Sequence, residues 1–437
     1  MPFWQVTDLQ SLGASATLRD PLPIQMVERE FSKKMDDPAG SFCGKPERAS
    51  PVIFDPDSFG DLDLFGETMR IKAHTLSVLL LAGLAAGCNQ YQRFDSAGNV
   101  REQYAQQVGA ATAAQLIVPF ELDGTVRASL EKKLRPTPTE LRTLNSVLNF
   151  IFEDLDLHYA LNPTRTAVQT FHDQRGNCLS FVNLFVGLAR ERGLNPFYVE
   201  VTDYQKWNHR AGMVVSQGHI VAGMYLDGEL KTYDFLPYRP KAYKDFNPID
   251  DLTAAAHYYN NLGAEALMDG DLPRATELLT IATRIAPKFE KAVNNLGVAK
   301  ARGGDLDGAL ALYRKGLEIA PDNAMILTNM TRAFQTLGRT KEADDLLTRI
   351  EASNTSNPFF FVYQGEMALS RGESQKALDY MVKALRLDTE APEVHVGFVK
   401  VYLAMGEMDK ARHHLERALK LDATNQDALQ LASMLGR

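Results

Sequence analysis

The sequence predicts an α+β domain followed by an all-α helical solenoid. Three observations carry that expectation. Ala275, Ala309, Ala343, Ala377 and Ala411 recur every 34 residues, and Gly270, Gly304, Gly338, Gly372 and Gly406 keep the same spacing. Ahead of them, residues 89–255 alternate between helical and strand periodicity. Within that stretch, Asp227-Gly228 separates two strand-like runs, which is a hairpin signal.

The chain starts ambiguously. Residues 1–68 hold seven of its twenty prolines and show neither helical nor strand period, so they read as a disordered extension or a leader that is not translated. Residues 69–88, MRIKAHTLSVLLLAGLAAGC, place Arg70 and Lys72 before a short apolar run that ends in small residues and Cys88. The run is too short to span a bilayer comfortably, which favours a cleaved signal over a membrane helix. The order resembles a bacterial lipoprotein signal, except that Ala85 stands where a larger aliphatic residue is usual. The resemblance implies initiation at Met69, lipidation of Cys88 and a chain tethered to a membrane without crossing it. Asn89 follows the cysteine rather than an aspartate, so the resemblance points to the cell envelope, facing the periplasm from the outer membrane.

The next unit, residues 89–245, is mixed. TPTE at 137–140 reads as a capping box with proline in the first turn. Leu141, Leu144, Leu148, Ile151, Phe152 and Leu155 follow at helical spacing. Gly176-Asn177-Cys178-Leu179-Ser180 opens a second helix whose buried stripe is Phe181, Val182, Phe185, Leu188 and Ala189, and Gly193 ends it. Residues 196–202, 219–226 and 230–235 read as strands, and residues 246–255 as a linker.

Cys178 thereby falls at a helix N-terminus. The helix dipole and first-turn N–H groups there favour a thiolate and can hold an oxyanion. A small buried filler is the plainer role for a cysteine. The hairpin strengthens the chemical reading. With Asp227-Gly228 as a two-residue turn, Leu226 pairs with Glu229 and Val221 with Asp234. His219 and Asp234 then become diagonal neighbours on one sheet face. A carboxylate so placed fixes the imidazole tautomer, completing a Cys–His–Asp nucleophilic set. His209, in WNHR at 207–210, is a rival base in an apparent loop, and Trp207 beside it is a candidate cleft wall or a packing residue.

RGNCLSFVNLFVGLARERGL, HIVAGMY and YDF together resemble the papain-like core of the transglutaminase-like superfamily. That resemblance implies a Cys178, His219, Asp234 triad on a helix and two adjacent strands. GNCLS, Trp207, the histidine that follows, the Asp-Phe pair and YYNNLG at 258–263 also resemble bacterial lipoproteins that join this core to tetratricopeptide repeats. Two departures stand out: Phe235 follows Asp234 where proline is frequent, and the run after His219 is apolar.

The 34-residue period is that of the tetratricopeptide repeat. Units run 256–289, 290–323, 324–357, 358–391 and 392–425, and residues 426–437 begin a cap helix. The glycine serves the turn between helices A and B, and the alanine allows their close approach. Leu262, Leu279, Leu296 and Tyr313 supply bulk, and Pro287 and Pro321 end the first two B helices. Thr355, Thr389 and Ala423 replace that proline in later units. Such a solenoid offers a concave groove for a protein or peptide; a spacer packed on the upstream domain is the alternative.

Composition narrows the rest. A net charge of −8 argues against nucleic acid as a partner. The three cysteines, Cys43, Cys88 and Cys178, are too few for a disulfide framework. Zinc spacing and a glycine-rich phosphate loop are both missing, so no metal or cofactor is expected. The functional expectation is a secreted, lipid-anchored cysteine protease or amidase, or an acyltransferase of that type. The alternative is a non-catalytic envelope scaffold that binds partners through its repeats.

Overall fold

The structure is a computed structural model. It describes residues 4–8, 22–23, 27–30, 96–135, 137–210, 213–236, 243–352 and 355–435. For residues 4–30 and 208–210 only the backbone is described. The expected signal at 69–88, with Cys88, and also Cys43, lie outside these residues.

Three short strands come first: β1 (Trp4–Asp8), β2 (Leu22–Pro23) and β3 (Val27–Glu30). No strand is expected there from periodicity; their pairing partners belong to the later domain, so the local pattern carries no trace of them. After Ser96, whose hydroxyl accepts from the Asn99 N–H, come α1 (Ala97–Val108), α2 (Ala110–Ala113) and α3 (Gly124–Lys133). Helix α4 (Glu140–Asn149) runs on into a π-helical turn at Phe150–Asp154. Its N-cap is Thr139, which accepts from the Arg142 N–H, not Thr137 as the box pattern implied. The Thr137 hydroxyl bonds Thr143 instead, 2.5 Å away. Leu144, Leu148, Ile151 and Leu155 are buried as expected, but Leu141 is 53% exposed because it falls on the first turn, outside the core.

β4 (His158–Tyr159), α5 (Ala167–Asp173) and β5 (Arg175–Gly176) lead to α6 (Cys178–Glu191), which is buried along most of its length. A Cβ at Gly176 would lie 2.5 Å from the Ser180 Cβ, so the approach to α6 tolerates only glycine. The sheet follows: β6 (Phe197–Arg210), β7 (Met213–Leu226), β8 (Glu229–Asp234) and β9 (Phe246–Ile249). Its order is β3-β8-β7-β6-β9, and β1 pairs with the first half of β7. Asp227 and Gly228 have φ of 51° and 82°, as a tight two-residue hairpin turn requires. The register places Leu226 against Glu229 and Ala222 against Tyr233.

The expected linker at 246–255 is structured. β9 pairs along β6, and α7 (Asp251–Asp269) begins after an N-cap at Asp250. Five helix pairs follow from α7: α8 (Leu272–Ile285), α9 (Glu290–Arg302), α10 (Leu306–Ile319), α11 (Ala324–Thr336), α12 (Thr340–Ala352), α13 (Pro358–Ser370), α14 (Ser374–Leu387), α15 (Pro392–Ala404) and α16 (Met408–Leu421). α17 (Gln426–Met434) closes the stack. Each of the five periodic glycines has φ between 71° and 85°, and each periodic alanine is at most 1% exposed.

The solenoid packs directly on the α+β domain. The Arg190 guanidinium at the end of α6 grips Asp251 at 2.8 and 2.9 Å. The Tyr259 hydroxyl accepts from the Ile117 N–H at 2.7 Å. β6 and β7 are each 14 residues long and extend past β8 and β9 toward the solenoid. Met213 and Val215 pack with Ala264, Leu267 and Leu296, while Val214 and Trp207 pack with Phe359, Val362 and Phe398. The expected open groove is therefore occupied in part by the chain's own strands, with β1 against α7, α9 and α11 and the hairpin in the repeats' apolar clusters.

Candidate active site

The site grows from α6. The Asn177 side chain caps the helix by accepting from the Ser180 N–H at 3.0 Å, so Cys178 is the first residue of the first turn. Asn177 is itself held by donating to Leu161 O and to the Thr164 hydroxyl, at 3.2 and 2.9 Å. The cap is therefore fixed by a second, buried loop.

β7 and β8 bring the other two residues. His219 Nε2 lies 2.9 Å from Asp234 Oδ1. A carboxylate only accepts, so Nε2 carries the proton and Nδ1 is the ring nitrogen left for Cys178. The remaining capacity of Asp234 is also used: the Tyr243 hydroxyl donates to Oδ2 at 2.8 Å and the Leu236 N–H to Oδ1 at 3.1 Å. The His219 ring clusters with the Tyr204 and Tyr243 rings, whose centroids lie 5.3 and 5.5 Å from it and 6.0 Å from each other.

The electrostatics follow from burial and pairing. Cys178 and His219 are 0% exposed and Asp234 is 4% exposed. Burial works to raise the Cys178 thiol, but the positive charge of the chain's N-terminus, then the His219 charge, its hydrogen bond and the Ile220 N–H oppose this, and the thiol lies below its ordinary value. For His219, burial works downward, and the Asp234 charge followed by Cys178 carries it above its ordinary value. Burial likewise raises Asp234, whereas His219 and the Tyr243 hydroxyl hold it below the usual carboxylate range. Each shift favours a thiolate–imidazolium pair beside an ionised carboxylate. A thiol, an imidazole and a carboxylate are thus assembled at a helix N-terminus.

The three residues named from the sequence meet in one place. WNHR at 207–210 is not a loop: it belongs to β6, and His209 pairs with Val214, on the far side of the register shift from His219. A 14-residue strand escaped notice because alternation breaks at that shift. The two departures also have packing reasons. Phe235 is a core residue, stacked on Phe152 at 5.7 Å and against Phe185 at 5.8 Å. Ile220 and Ala222 are buried in the same core as the α6 stripe. Tyr243 and Tyr204 were not foreseen, because no local pattern ties them to a histidine on another strand. Among the described residues, no group of three His, Cys, Asp or Glu side chains is placed to hold a metal ion, and no helix is long and apolar enough to cross a membrane.

The family model of the transglutaminase-like superfamily matches residues 128–239. Tetratricopeptide-repeat models match residues 251–324 and 368–435. The chain joins a transglutaminase-like domain to tetratricopeptide repeats. No curated protein matches it. Among solved structures, TTC0263, a thermophilic TPR protein of Thermus thermophilus, is 22% identical with a TM-score of 0.37, covering 42% of this chain and all of that one. Pseudomonas aeruginosa pilF is 24% identical with a TM-score of 0.36, covering 42% of this chain and 86% of that one. A MamA crystal structure is 20% identical with a TM-score of 0.30, covering 38% and 92%. In the transglutaminase-like domain, the matched span contains Cys178, His219 and Asp234; Tyr243 falls just beyond it.

Proposed function

We propose that the transglutaminase-like domain is a cysteine hydrolase acting on an acyl group, and that the repeats position a protein or peptide for it. Cys178 Sγ attacks the carbonyl carbon, forming a C–S bond. His219, in its imidazolium form, returns a proton to the leaving amine as the C–N bond breaks. Water, deprotonated by His219, then releases the acid and restores the thiol. Asp234 acts through His219, and the first-turn N–H groups of α6 would hold the oxyanion. The observation that carries this reading is the imidazole fixed through Nε2 on Asp234, which leaves Nδ1 as the ring nitrogen free to serve Cys178. An amine in place of water would make the same acyl-enzyme an acyltransferase. The test is p-nitrophenyl acetate followed by mass spectrometry. One acetyl group should appear on Cys178 and none on the Cys178→Ala chain; acetylation elsewhere, or nowhere, sinks the reading.

A second reading is a non-catalytic scaffold. It is favoured by the complete burial of Cys178 and by the hairpin in the repeats' apolar clusters. A chain that never acylates would support it. Either reading keeps the proposed lipid anchor at Cys88 and the envelope location. Both are supported by the order of charge, apolar run and cysteine at 69–88. The mass of the mature N-terminal peptide tests the anchor: a peptide containing Phe54 or Phe65 in the mature protein would rule it out.

A further inference from the structure

The cap that sets Cys178 at the start of α6 is tied to the first repeat. Glu265, on α7, accepts on Oε1 from the Thr164 N–H at 2.9 Å and from the Thr164 hydroxyl at 3.0 Å. The Thr164 hydroxyl accepts in turn from Asn177 Nδ2 at 2.9 Å. Asn177 Oδ1 accepts from the Ser180 N–H and from the Ser180 hydroxyl, each at 3.0 Å. Arg165, the residue after Thr164, holds the same turn from the other side: its N–H donates to the Ser180 hydroxyl at 2.8 Å. Thr164, Asn177 and Ser180 are at most 2% exposed, and Glu265 is 9% exposed. A path of hydrogen bonds shielded from water therefore runs from the solenoid to the first turn of α6.

A hydroxyl has one proton to give. Glu265 takes the one on Thr164, so the Thr164 oxygen can only accept from Asn177. That fixes which end of the Asn177 amide faces the loop and turns Oδ1 toward the Ser180 N–H. Without Glu265 the hydroxyl proton can swing onto Asn177, where it opposes the amide N–H and favours the reversed amide. The reversed amide sets an N–H against the Ser180 N–H, so the helix loses its cap and its first turn loosens around Cys178. We infer that Glu265 is a positioning residue for Cys178, supplied by the first repeat and acting through Thr164 and Asn177, so that the cysteine site is complete only with the solenoid in place. This rests on the proposed hydrolase for what Cys178 does, and on the hydrogen-bond path for how the start of the helix is held. Burial pushes Glu265 up to about 7, opposed by the two Thr164 hydrogen bonds and the Arg165 charge and reinforced by Asp269 on the same helix. The carboxyl is thus mostly protonated at pH 6, where its carbonyl oxygen still accepts both Thr164 donors. A glutamine reproduces that acceptor.

The test uses the full chain and reads alkylation of Cys178 by iodoacetamide at pH 6 and pH 9, with the site located by mass spectrometry. Ordered N–H groups at a helix start lower a thiol, so a loosened first turn slows reaction at pH 6 more than at pH 9. Glu265→Ala and Thr164→Val should each lower the ratio of the two rates by about threefold or more, the size of effect a weakened N-cap carries. Glu265→Gln and Thr164→Ser should restore the wild-type ratio. The double variant Glu265→Ala with Thr164→Val should go no further than either alone, because both cut one path. Tyr259→Phe is the control: it removes the hydrogen bond from the Ile117 N–H, made by the same helix but outside the path to Asn177. It should lower the melting temperature and leave the ratio alone. Unchanged ratios in Glu265→Ala and Thr164→Val overturn the proposal, as does failure of Glu265→Gln to restore the ratio. So does an equal shift in Tyr259→Phe, which would assign the effect to junction stability. If Glu265→Ala does not fold, Thr164→Val, which keeps the side-chain volume, decides the matter against Thr164→Ser. Acylation by p-nitrophenyl acetate is scored separately. A chain whose ratio shifts but which never acylates keeps the positioning role and loses the hydrolase; one that acylates with unchanged ratios does the reverse.

Discussion

The imidazole of His219 is held through Nε2 by Asp234, and the consequence is a defined pH response. The Cys178 thiol lies below its ordinary value, and the His219 charge and hydrogen bond are among the influences that oppose the burial that would raise it. A lowered thiol stays ionised as pH falls, so alkylation by iodoacetamide should persist well into the acid range. His219→Ala removes that support, moving the thiol upward, and should slow alkylation at pH 6 far more than at pH 9. Tyr243→Phe takes one donor from Asp234 Oδ2 and leaves the imidazole in place, so its effect should be smaller and of the same sign. The ratio of rates at the two pH values is the quantity to compare, because the buried thiol must first be uncovered and that step cancels in the ratio. A His219→Ala profile that overlies the wild type would mean the imidazole does not act on the thiol. The direction of these effects was legible from the sequence, since the Asp-Gly turn sets the register and the register sets the pair. The part played by Tyr243 was not, because it acts across the sheet from a distant segment.

At the scale of elements, the repeats are governed by size at two positions. Ala343 lies between α11 and α12 with 1% of its surface exposed, in the same apolar cluster as Met330, Ala333 and Phe334. Ala343→Phe should overpack that contact at a cost of about 1–3 kcal/mol. Neighbouring repeats share their interfaces, so protection from hydrogen exchange should fall in α9 and α10 as well as in α13 and α14. Loss confined to α11 and α12 would show that the repeats melt independently. The helix pairs were readable because each is short-range: a glycine with positive φ, a small residue and a few large ones suffice. The long hairpin was less readable. Its outer half has buried residues on both faces, Met213 and Val215 on one and Val214 on the other, so the alternation that marks a half-exposed strand disappears.

For the whole molecule, the junction between domain and solenoid is itself titratable. Glu265 on α7 accepts from the Thr164 N–H at 2.9 Å and from its hydroxyl at 3.0 Å, and Thr164 in turn holds Asn177 beside Cys178. Burial outweighs those two hydrogen bonds and pushes Glu265 from 4.5 up to about 7. A carboxyl whose folded value is raised contributes stability below its unfolded value, and that stability is lost as pH rises through the folded one. Between roughly pH 4.5 and 7 the loss is on the order of 3 kcal/mol. Glu265→Gln keeps the acceptor oxygen and cannot ionise. Its stability to urea should match the wild type near pH 4.5 and exceed it at pH 8; an unchanged difference between the two chains at both pH values would remove Glu265 from the junction's pH dependence.

The sequence by itself determined what depends on near neighbours along the chain. The 34-residue period set five helix pairs and a cap, the Asn177 cap set Cys178 at the start of α6, and a two-residue turn set His219 diagonal to Asp234. These are local rules of backbone geometry, and they hold whatever surrounds them. Only the tertiary structure decided that the repeats pack against β1 and the β6–β7 hairpin, that residues 246–255 join the sheet to α7, and that Glu265 reaches the loop behind the Asn177 cap. Those outcomes depend on which apolar and polar surfaces face each other across segments as far apart as Thr164 and Glu265, and burial is a property of the assembled pair, not of either segment alone.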